Sequence, residues 1–291
     1  MFRPTCTRQR GYCPRLVAQV IGIDARAAAE VSAGRGRYVR ELLRALAALP
    51  ESADVRFDLW ARTPWLDPSL DARFRWRLVG LPDPAWHLAV ALRAGGDAFL
   101  STNSYLTAWA TRVPTTIVVY DLVAFVPGVA AAAQQRAARI ERLTIRPALR
   151  RAHALACISQ ATRVDLELRF PAARGKSHTI PLAAGPAPAM LPPLDPAFGL
   201  RERGFVLAVG TLEPRKNLER LITAWTRLPG ALRTAHPLAL VGPRGWEDDA
   251  ILRAAQDKRQ TVAAAEIQRQ KQLRYATLGG AALLLLLAAV L

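Results

Sequence analysis

The sequence predicts an α/β fold of two Rossmann-like units, the second of them incomplete, followed by a C-terminal helix. Short apolar strand patterns alternate with amphipathic helix patterns over residues 15–182, as in a doubly wound parallel sheet. Residues 183–203 are rich in Pro, Ala and Gly without periodicity, which is typical of a linker. A strand, loop and helix pattern then starts again at Gly204 and continues over residues 204–254.

The first unit follows an aperiodic segment, residues 1–14, that we expect to be disordered. Its strands are short runs rich in apolar, β-branched and aromatic residues. They are predicted at Leu16–Ile23, Val55–Trp60, Phe74–Val79, Ala98–Leu100, Thr115–Tyr120, Ala154–Ile158 and Thr179–Leu182. Helices are predicted at Val39–Leu49, Pro82–Ala94 and Arg136–Arg151, with another that begins near Thr162 and is capped by Ser159.

A glycine-containing loop, Ser32–Tyr38, is predicted to join the first strand to the first long helix. Its glycines, Gly34 and Gly36, would let the backbone approach a ligand closely. Their spacing differs from the GxGxxG fingerprint of dinucleotide-binding proteins, so a simple tight turn is the alternative.

The second unit opens with the pattern that the interpretation depends on most. An apolar strand at Phe205–Val209 ends at Gly210, and Asn217 begins an amphipathic helix. The loop between them, Thr211–Lys216, therefore joins the carboxyl end of a strand to the amino end of a helix. Anions bind at such places because amide N–H groups and the helix dipole converge there. We predict a phosphate or diphosphate site, against the alternative that the loop cations are merely solvated.

Five matches in chain order, over roughly residues 18–250, resemble one family of enzymes. They are GIDAR at Gly22–Arg26, GRGRYVRELLRAL at Gly34–Leu46, VVYDL at Val118–Leu122, ISQATRVDL at Ile158–Leu166, and GTLEPRKN at Gly210–Asn217 followed by LALVGPRGWED at Leu238–Asp248. The chain thus resembles the retaining GT-B glycosyltransferases of family 4, which include many bacterial mannosyl- and glucosyltransferases. The resemblance implies an acceptor domain first and a nucleotide-sugar domain second.

The resemblance also implies roles for individual residues. Lys216 would contact the donor diphosphate with Arg215 beside it, and Glu213 would orient the loop. The expected donor-binding residues are Gly210, Thr211, Glu213 and Asn217, and the expected acceptor or cleft residues are Gly34, Gly36, Arg37, Tyr120 and Asp121. Two positions depart from the family: Thr211 stands where a basic residue is frequent, and Tyr120 where a histidine often precedes the aspartate. The donor would be a GDP- or UDP-linked sugar, with no metal or other cofactor.

Composition restricts the other function classes. The net charge is +17 and the pI about 11.2, but the arginines are spread over the whole chain without a nucleic-acid motif. An enzyme working at an anionic inner-leaflet surface explains this charge equally well. The three cysteines form no disulfide framework and the four histidines lack metal-ligand spacing, so we expect a cytoplasmic protein without a metal site.

The segment after Ala255 departs from the family. The resemblance leads us to expect a Glu-x7-Glu pair near the donor, and the chain contains none. Residues 256–276 have the composition of a polar helix, and Thr277–Leu291 is uninterrupted apolar sequence behind Lys271 and Arg274. This segment is either an anchor to the inner membrane or a fused or truncated end. The function is accordingly either a glycosyltransferase or an inactive remnant that binds without catalysis.

Limited proteolysis tests the predicted division of the chain. We expect cleavage within or after residues 183–203 and survival of a fragment near 15–182, because the second unit has too few elements to cover its sheet. Mass spectrometry of a trypsin time course measures this. Equal resistance of both parts would contradict the prediction.

Overall fold

The computed structural model describes residues 19–31, 34–102, 104–126, 135–184, 193–245, 248–256 and 262–266. The chain forms two compact units, Met1–Ala184 and Gly185–Leu291. The predicted disorder of residues 1–14 and the predicted apolar tail lie outside the described residues.

The first unit contains a parallel sheet with the strand order β3-β2-β1-β4-β5-β6-β7. The strands are β1 (Gln19–Asp24), β2 (Val55–Ala61), β3 (Phe74–Leu78), β4 (Ala98–Ser101), β5 (Thr115–Val119), β6 (Ala154–Cys157) and β7 (Ser177–Thr179). The chain moves outward from β1 to β3, and β4 then pairs on the other side of β1. Strand order thus reverses between β1 and β4, and this confirms the predicted α/β fold class.

Helices connect the strands of this unit. They are α1 (Arg26–Glu30), α2 (Gly34–Ala48), α3 (Ala85–Arg93), α4 (Tyr105–Ala110), α5 (Gln135–Arg151) and α6 (Gln160–Arg169). The predicted cap of α6 is confirmed, because the Ser159 hydroxyl accepts a hydrogen bond of 3.0 Å from the Thr162 amide. In the same way Ser104 caps α4 through the Leu106 amide.

Separate apolar clusters hold the helices onto the sheet. One joins α2 to the first strands through Val39, Leu43 and the stacked rings of Phe57 and Phe74, whose centroids are 4.8 Å apart. Another packs α5 and α6 against β5 and β6. Its fully buried members include Ile117, Ile145, Leu149, Leu155 and Leu166. Burial of this aliphatic surface is the main force that fixes the helices.

The second unit is a three-stranded parallel sheet in the order β10-β9-β8. Its strands are β8 (Val206–Val209), β9 (Leu238–Gly242) and β10 (Val262–Glu266), and its helices are α7 (Leu218–Thr226), α8 (Gly230–Ala235) and α9 (Asp249–Gln256). The amphipathic helix predicted after Asn217 is α7, which buries Ile222 and Trp225 against Leu238 and Leu240 of β9.

Three local predictions are wrong. Gly34–Tyr38 are helical rather than loop, since α2 begins at Gly34. The last strand of the first unit is Ser177–Thr179, two residues earlier than its predicted start. Val262–Glu266 form a strand where helix is predicted, because pairing along β9 overrides the helix propensity of the alanines.

None of the helices in the described ranges is both long and apolar enough to cross a membrane.

Gly36 lies in the first turn of α2, where its backbone contacts the turn that follows α1. A Cβ atom there would lie 1.7 Å from the Val31 carbonyl oxygen and 2.7 Å from that of Ala27. Arg40 strengthens the same contact, since its guanidinium donates to the carbonyls of Ala28 and Val31. The glycine is therefore required by packing of the chain against itself.

Two alanine variants of α2 test this packing. Gly36→Ala should lower the free energy of unfolding by about 1–3 kcal/mol or more, because the added methyl group must displace backbone. Gly34→Ala is the matched control: no atom of the described residues lies within 4 Å of its Cβ position, so its stability should be unchanged or raised by up to about 1 kcal/mol. Urea unfolding followed by circular dichroism gives both values. Two equally stable variants would refute the packing role.

Candidate functional site

The carboxyl ends of β1, β4 and β5 form the candidate site of the first unit. Ligands of open α/β sheets bind where strand order reverses, just outside the carboxyl ends of the strands. Here that place lies between β1 and β4. The residues at or just after these strand ends include Asp24, Thr102, Tyr120 and Asp121.

Asp24 is the most unusual group at this edge. Its side chain is fully buried, and its Oδ1 atom accepts a hydrogen bond of 3.3 Å from the Arg26 amide. Its other oxygen, Oδ2, is buried without a hydrogen-bond partner in the described structure. Burial raises the pKa of Asp24 from 3.8 to about 6, although Arg26 opposes the shift.

Tyr120 lies at the end of β5 and reaches toward the same region. Its ring packs edge-on against Tyr38 of α2, with the centroids 5.4 Å apart. Its backbone carbonyl accepts a hydrogen bond of 3.2 Å from the Thr162 hydroxyl. The Tyr120 hydroxyl is buried and has no partner in the described structure. Burial raises the pKa of Tyr120, and Tyr38 and Asp24 raise it further.

A second acidic group lies where α5 passes the loop after β5. Glu141 is half-buried, and burial together with the charge of Asp121 raises its pKa. The loop is fixed to α5 by Arg142, whose guanidinium donates to the Ala124 carbonyl. Asp121 itself is exposed. Its carboxylate accepts a hydrogen bond of 3.1 Å from the Val123 amide and so holds the turn that follows β5.

A charged network beside Asp24 joins the loops after β1, β2 and β3. Asp83 accepts from Arg26 at 2.7 Å and from Arg62 at 2.6 Å, and Arg62 also binds Glu30 at 2.8 Å. Arg26 stacks over the Trp86 ring at 4.5 Å. Burial alone would raise the pKa of Asp83, but the two arginines reverse this and lower it. The network holds these loops in place around the end of β1.

His87 belongs to the edge of this network. Its Nδ1 lies 2.7 Å from the Thr107 hydroxyl, and the ring is buried. Burial and the nearby Arg26 lower the pKa of His87 to about 4, so the imidazole is neutral near pH 7.

The candidate site of the second unit is the turn that leaves β8. The Gly210 amide donates to Val241 and the Leu212 amide to Pro243, so this turn runs beside the one that leaves β9. A Cβ atom on Gly242 would lie 1.8 Å from the Gly210 carbonyl oxygen. This close backbone contact fixes the turn at the carboxyl edge of the sheet.

The two cations of this turn have different surroundings. Arg215 donates to the buried Glu213 carboxylate at 2.5 Å, which ties it to its own loop. Lys216 is exposed and makes no ion pair with any described residue, and its Cε carbon lies 3.7 Å from the Cβ position of Gly210. Its side chain therefore lies over the end of β8.

Asn217 begins α7 but does not cap it with its side chain. It adopts a left-handed conformation with φ 55°, after a turn of 3-10 helix at Pro214–Lys216, and its side chain makes no capping hydrogen bond. Asn217 is therefore the N-cap residue of α7 by position only. The first backbone amides of α7 therefore donate no hydrogen bond to the Asn217 side chain. They lie at the amino end of the helix, next to the turn that leaves β8.

The structure separates the predicted site residues into two groups. One group lies in the turn of the second unit and consists of Gly210, Thr211, Glu213, Arg215, Lys216 and Asn217. The other group lies in the first unit and consists of Gly34, Gly36, Arg37, Tyr120 and Asp121. Three of the predicted residues of the first unit lie in α2. Gly34 and Arg37 are exposed, whereas Gly36 is buried against the turn that follows α1.

Asp24 and Glu141 are not among the site residues that were predicted from the sequence. Asp24 lies in the GIDAR motif at Gly22–Arg26. A carboxylate at the end of an apolar strand is a sequence feature by which it could have been selected as a candidate. Glu141 is the sole acidic residue of α5, which is otherwise basic. Across the described ranges, no group of three or more His, Cys, Asp or Glu side chains could hold a metal ion.

Comparisons with known proteins agree with this architecture. No protein-family model matches the chain. A segment of 65 residues, 22% of the chain, is 43% identical to O-antigen chain mannosyltransferase B of Escherichia coli, and it covers 17% of that protein. The match therefore spans only a small part of the length of this relative.

Solved structures provide the broader likeness. WaaG, a glycosyltransferase involved in lipopolysaccharide biosynthesis, aligns with a TM-score of 0.57 at 15% identity over 85% of this chain and 70% of its own. The UDP-forming α,α-trehalose-phosphate synthase of Burkholderia vietnamiensis aligns with a TM-score of 0.52 at 13% identity over 86% and 72%. The apo structure of OtsA gives 0.53 at 13% over 85% and 73%. The chain has the Rossmann-like fold of GT-B glycosyltransferases.

The raised pKa of Asp24 predicts a pH-dependent stability. The folded chain keeps the Asp24 proton up to about pH 6, whereas an unfolded chain loses it near 3.8. Ionisation therefore costs stability as the pH rises through this window, by about 3 kcal/mol in full. Arg26, Glu30 and Asp83 are the charged groups that act on Asp24. His87 acts in the opposite direction, because its lowered pKa removes stability as the pH falls from 6.5 toward 4.

Comparison of Asp24→Asn with the parent chain isolates this effect, since His87 is common to both. We expect the variant to gain stability relative to the parent as the pH rises from 4 to 7. Urea unfolding at four pH values measures the difference. A difference that does not change with pH would show that Asp24 ionises normally.

Proposed function

We propose that this chain is a retaining GT-B glycosyltransferase that moves a sugar from a nucleotide-diphosphate donor to a glycan or lipid-linked acceptor in polysaccharide or cell-envelope biosynthesis. One observation carries the proposal: Lys216 lies over the carboxyl end of β8 at the amino end of α7. The fold likeness and the 65-residue match support it.

The donor side of the proposal rests on electrostatics. A departing nucleotide diphosphate gains negative charge in the transition state. The Lys216 ammonium and the uncapped amides of α7 are fixed cationic and dipolar groups at one point, and they would stabilise that charge. These groups supply the stabilisation themselves, so we propose catalysis without a metal ion. Arg215, held by Glu213, would support the turn from the side.

The donor nucleotide is proposed to be UDP or GDP. Two structural relatives are linked to UDP: one is a UDP-forming trehalose-phosphate synthase, and the other is a trehalose-6-phosphate protein from E. coli solved with bound UDP-2-fluoro glucose. The curated relative is a mannosyltransferase, which favours mannose as the transferred sugar.

The acceptor is proposed to bind to the first unit, at the carboxyl edge of its sheet. Tyr120, Asp121 and the amino end of α2 with Gly34 and Arg37 would contact it. Carboxylate and hydroxyl groups are suited to sugar hydroxyls, because they accept and donate hydrogen bonds in fixed directions.

A binding protein without transferase activity is the second candidate. It is favoured by Thr211, which stands where the family that the chain resembles often has a basic residue. Calorimetry separates the two candidates, because such a protein should bind neither UDP nor GDP at millimolar concentration.

Replacement of Lys216 tests the donor site. Lys216→Ala should weaken UDP or GDP binding about tenfold or more and slow donor turnover, because a charge-assisted hydrogen bond to the diphosphate is lost. Arg220→Ala is the matched control, since it removes an exposed cation one helical turn away. Isothermal titration calorimetry with each nucleotide measures the affinities. Equal losses in both variants would mean that general charge, and not Lys216, attracts the nucleotide.

A further inference from the structure

Three arginines from two helices line one cavity in the first unit. The cavity has a volume of about 250 Å³ and lies beside the last turns of α5 and α6. Arg146 and Arg150 belong to α5, and Arg169 is the last residue of α6. All three residues are exposed. Because they come from two different helices, it is the packing of the helices that brings these cations to one place.

This cavity lies at the edge of the sheet opposite to the candidate site of the first unit. Each of the two helices follows the carboxyl end of one parallel strand and precedes the amino end of the next, so it runs antiparallel to the strands. Their last turns therefore lie near the amino ends of β6 and β7. A ligand in the cavity would leave the carboxyl edge of the sheet free.

The usual role of cations at the ends of helices is filled here by other residues. The last carbonyls of a helix attract Lys and Arg side chains. At the end of α5 the Lys176 ammonium donates to the Arg150 carbonyl, and at the end of α6 the Arg174 guanidinium donates to the Glu167 carbonyl. The guanidinium groups of Arg146 and Arg150 form no ion pair with any described residue. They are therefore cations in excess of what the helix ends need.

The rest of the cavity is lined by apolar groups. Leu149 and Phe170 are buried members of the core, and Pro171 and Ala172 continue the lining after α6. The Arg146 guanidinium lies over the Phe170 ring, 5.9 Å from its centroid, and this contact orients it toward the cavity. A ligand would thus meet cations and an apolar surface together.

We propose that this cavity binds a phosphate ester whose organic part is apolar. The three arginines hold the phosphate, and Leu149 and Phe170 contact the organic part. Guanidinium forks match the geometry of phosphate and carboxylate oxygens, and a phosphate has enough oxygens to meet three of them. Arg169 donates to Asp165 through its Nε atom, which leaves its Nη groups for the ligand.

A ligand of this chemistry has two sources, a phospholipid of a membrane surface and a free phosphate ester. Both present a phosphate on an apolar body, and the experiment below distinguishes them. The site lies away from the turn that carries Lys216, so it does not rest on the proposed transferase function.

The experiment uses the full chain and phenyl phosphate as the probe. Ligand-observed NMR titration at about 0.15 M salt, which screens general attraction to a chain of charge +17, gives the affinity. We expect millimolar binding by the parent chain. Arg150→Ala should weaken it about tenfold, because a charge-assisted hydrogen bond to the phosphate is lost. Arg150→Lys should restore only part of the affinity, because an ammonium keeps the charge but lacks the fork.

Matched controls remove a cation elsewhere. Arg93→Ala makes the same change at an exposed arginine in the last turn of α3, which does not line the cavity. Lys216→Ala removes the cation of the proposed donor site. Both variants should bind phenyl phosphate as the parent chain does. Inorganic phosphate should bind the parent chain several-fold more weakly than phenyl phosphate, since it makes no contact with the apolar lining.

Sedimentation with vesicles identifies the source of the ligand. Binding to vesicles of phosphatidic acid in phosphatidylcholine that is lost in Arg150→Ala, with none to phosphatidylcholine alone, would support the site and assign it to phospholipid. Arg150-dependent binding of phenyl phosphate without binding to either kind of vesicle would support the site and assign it to a free ester.

Four outcomes overturn the proposal. The first is no binding of phenyl phosphate by the parent chain at tens of millimolar. The second is an equal loss in Arg93→Ala and Arg150→Ala, which would mean that general charge attracts the probe. The third is loss of binding in Lys216→Ala, which would place the probe in the donor turn. The fourth is equal affinity for inorganic phosphate, which would remove the apolar part of the site.

Discussion

The position of β1 between β2 and β4 is the constraint on which the first unit depends. The chain adds β2 and β3 on one side of β1, and then returns to add β4, β5, β6 and β7 on the other side. The reversal brings the loops after β1, β4 and β5 together, although Asp24 and Tyr120 are far apart in sequence. Every polar group of the first candidate site owes its neighbours to this order.

Packing of backbone on backbone then fixes the turns that carry the sites. Gly36 lets α2 begin directly against the turn after α1, and Gly242 lets the turn after β9 contact the one after β8. The charged network around Asp83 has the same effect on the outer loops of the first unit. These backbone contacts and ion pairs restrict the arrangements that the turns can adopt.

Much of the fold could be predicted because most strands are apolar runs whose identity does not depend on their partners. Thr115–Val119 and Leu238–Gly242 are examples, since their β-branched and aliphatic residues favour a buried strand in any arrangement. The helical state of Gly34–Tyr38 could not be predicted, because Gly36 packs against the carbonyls of Ala27 and Val31. Val262–Glu266 could not be predicted as a strand, because this state depends on pairing with β9. The predicted linker and tail boundaries stay predictions.

The sequence by itself determined the parallel α/β class, the loop that carries Lys216 after an apolar strand, and the cap at Ser159, because these depend on residues that are adjacent in the chain. Only the tertiary structure decided that Tyr120 packs against Tyr38, that Arg215 is held by Glu213, and that Lys216 lies over Gly210. Burial and side-chain direction decide these relations. They are set by how strands pair and helices pack, and local sequence patterns do not encode them.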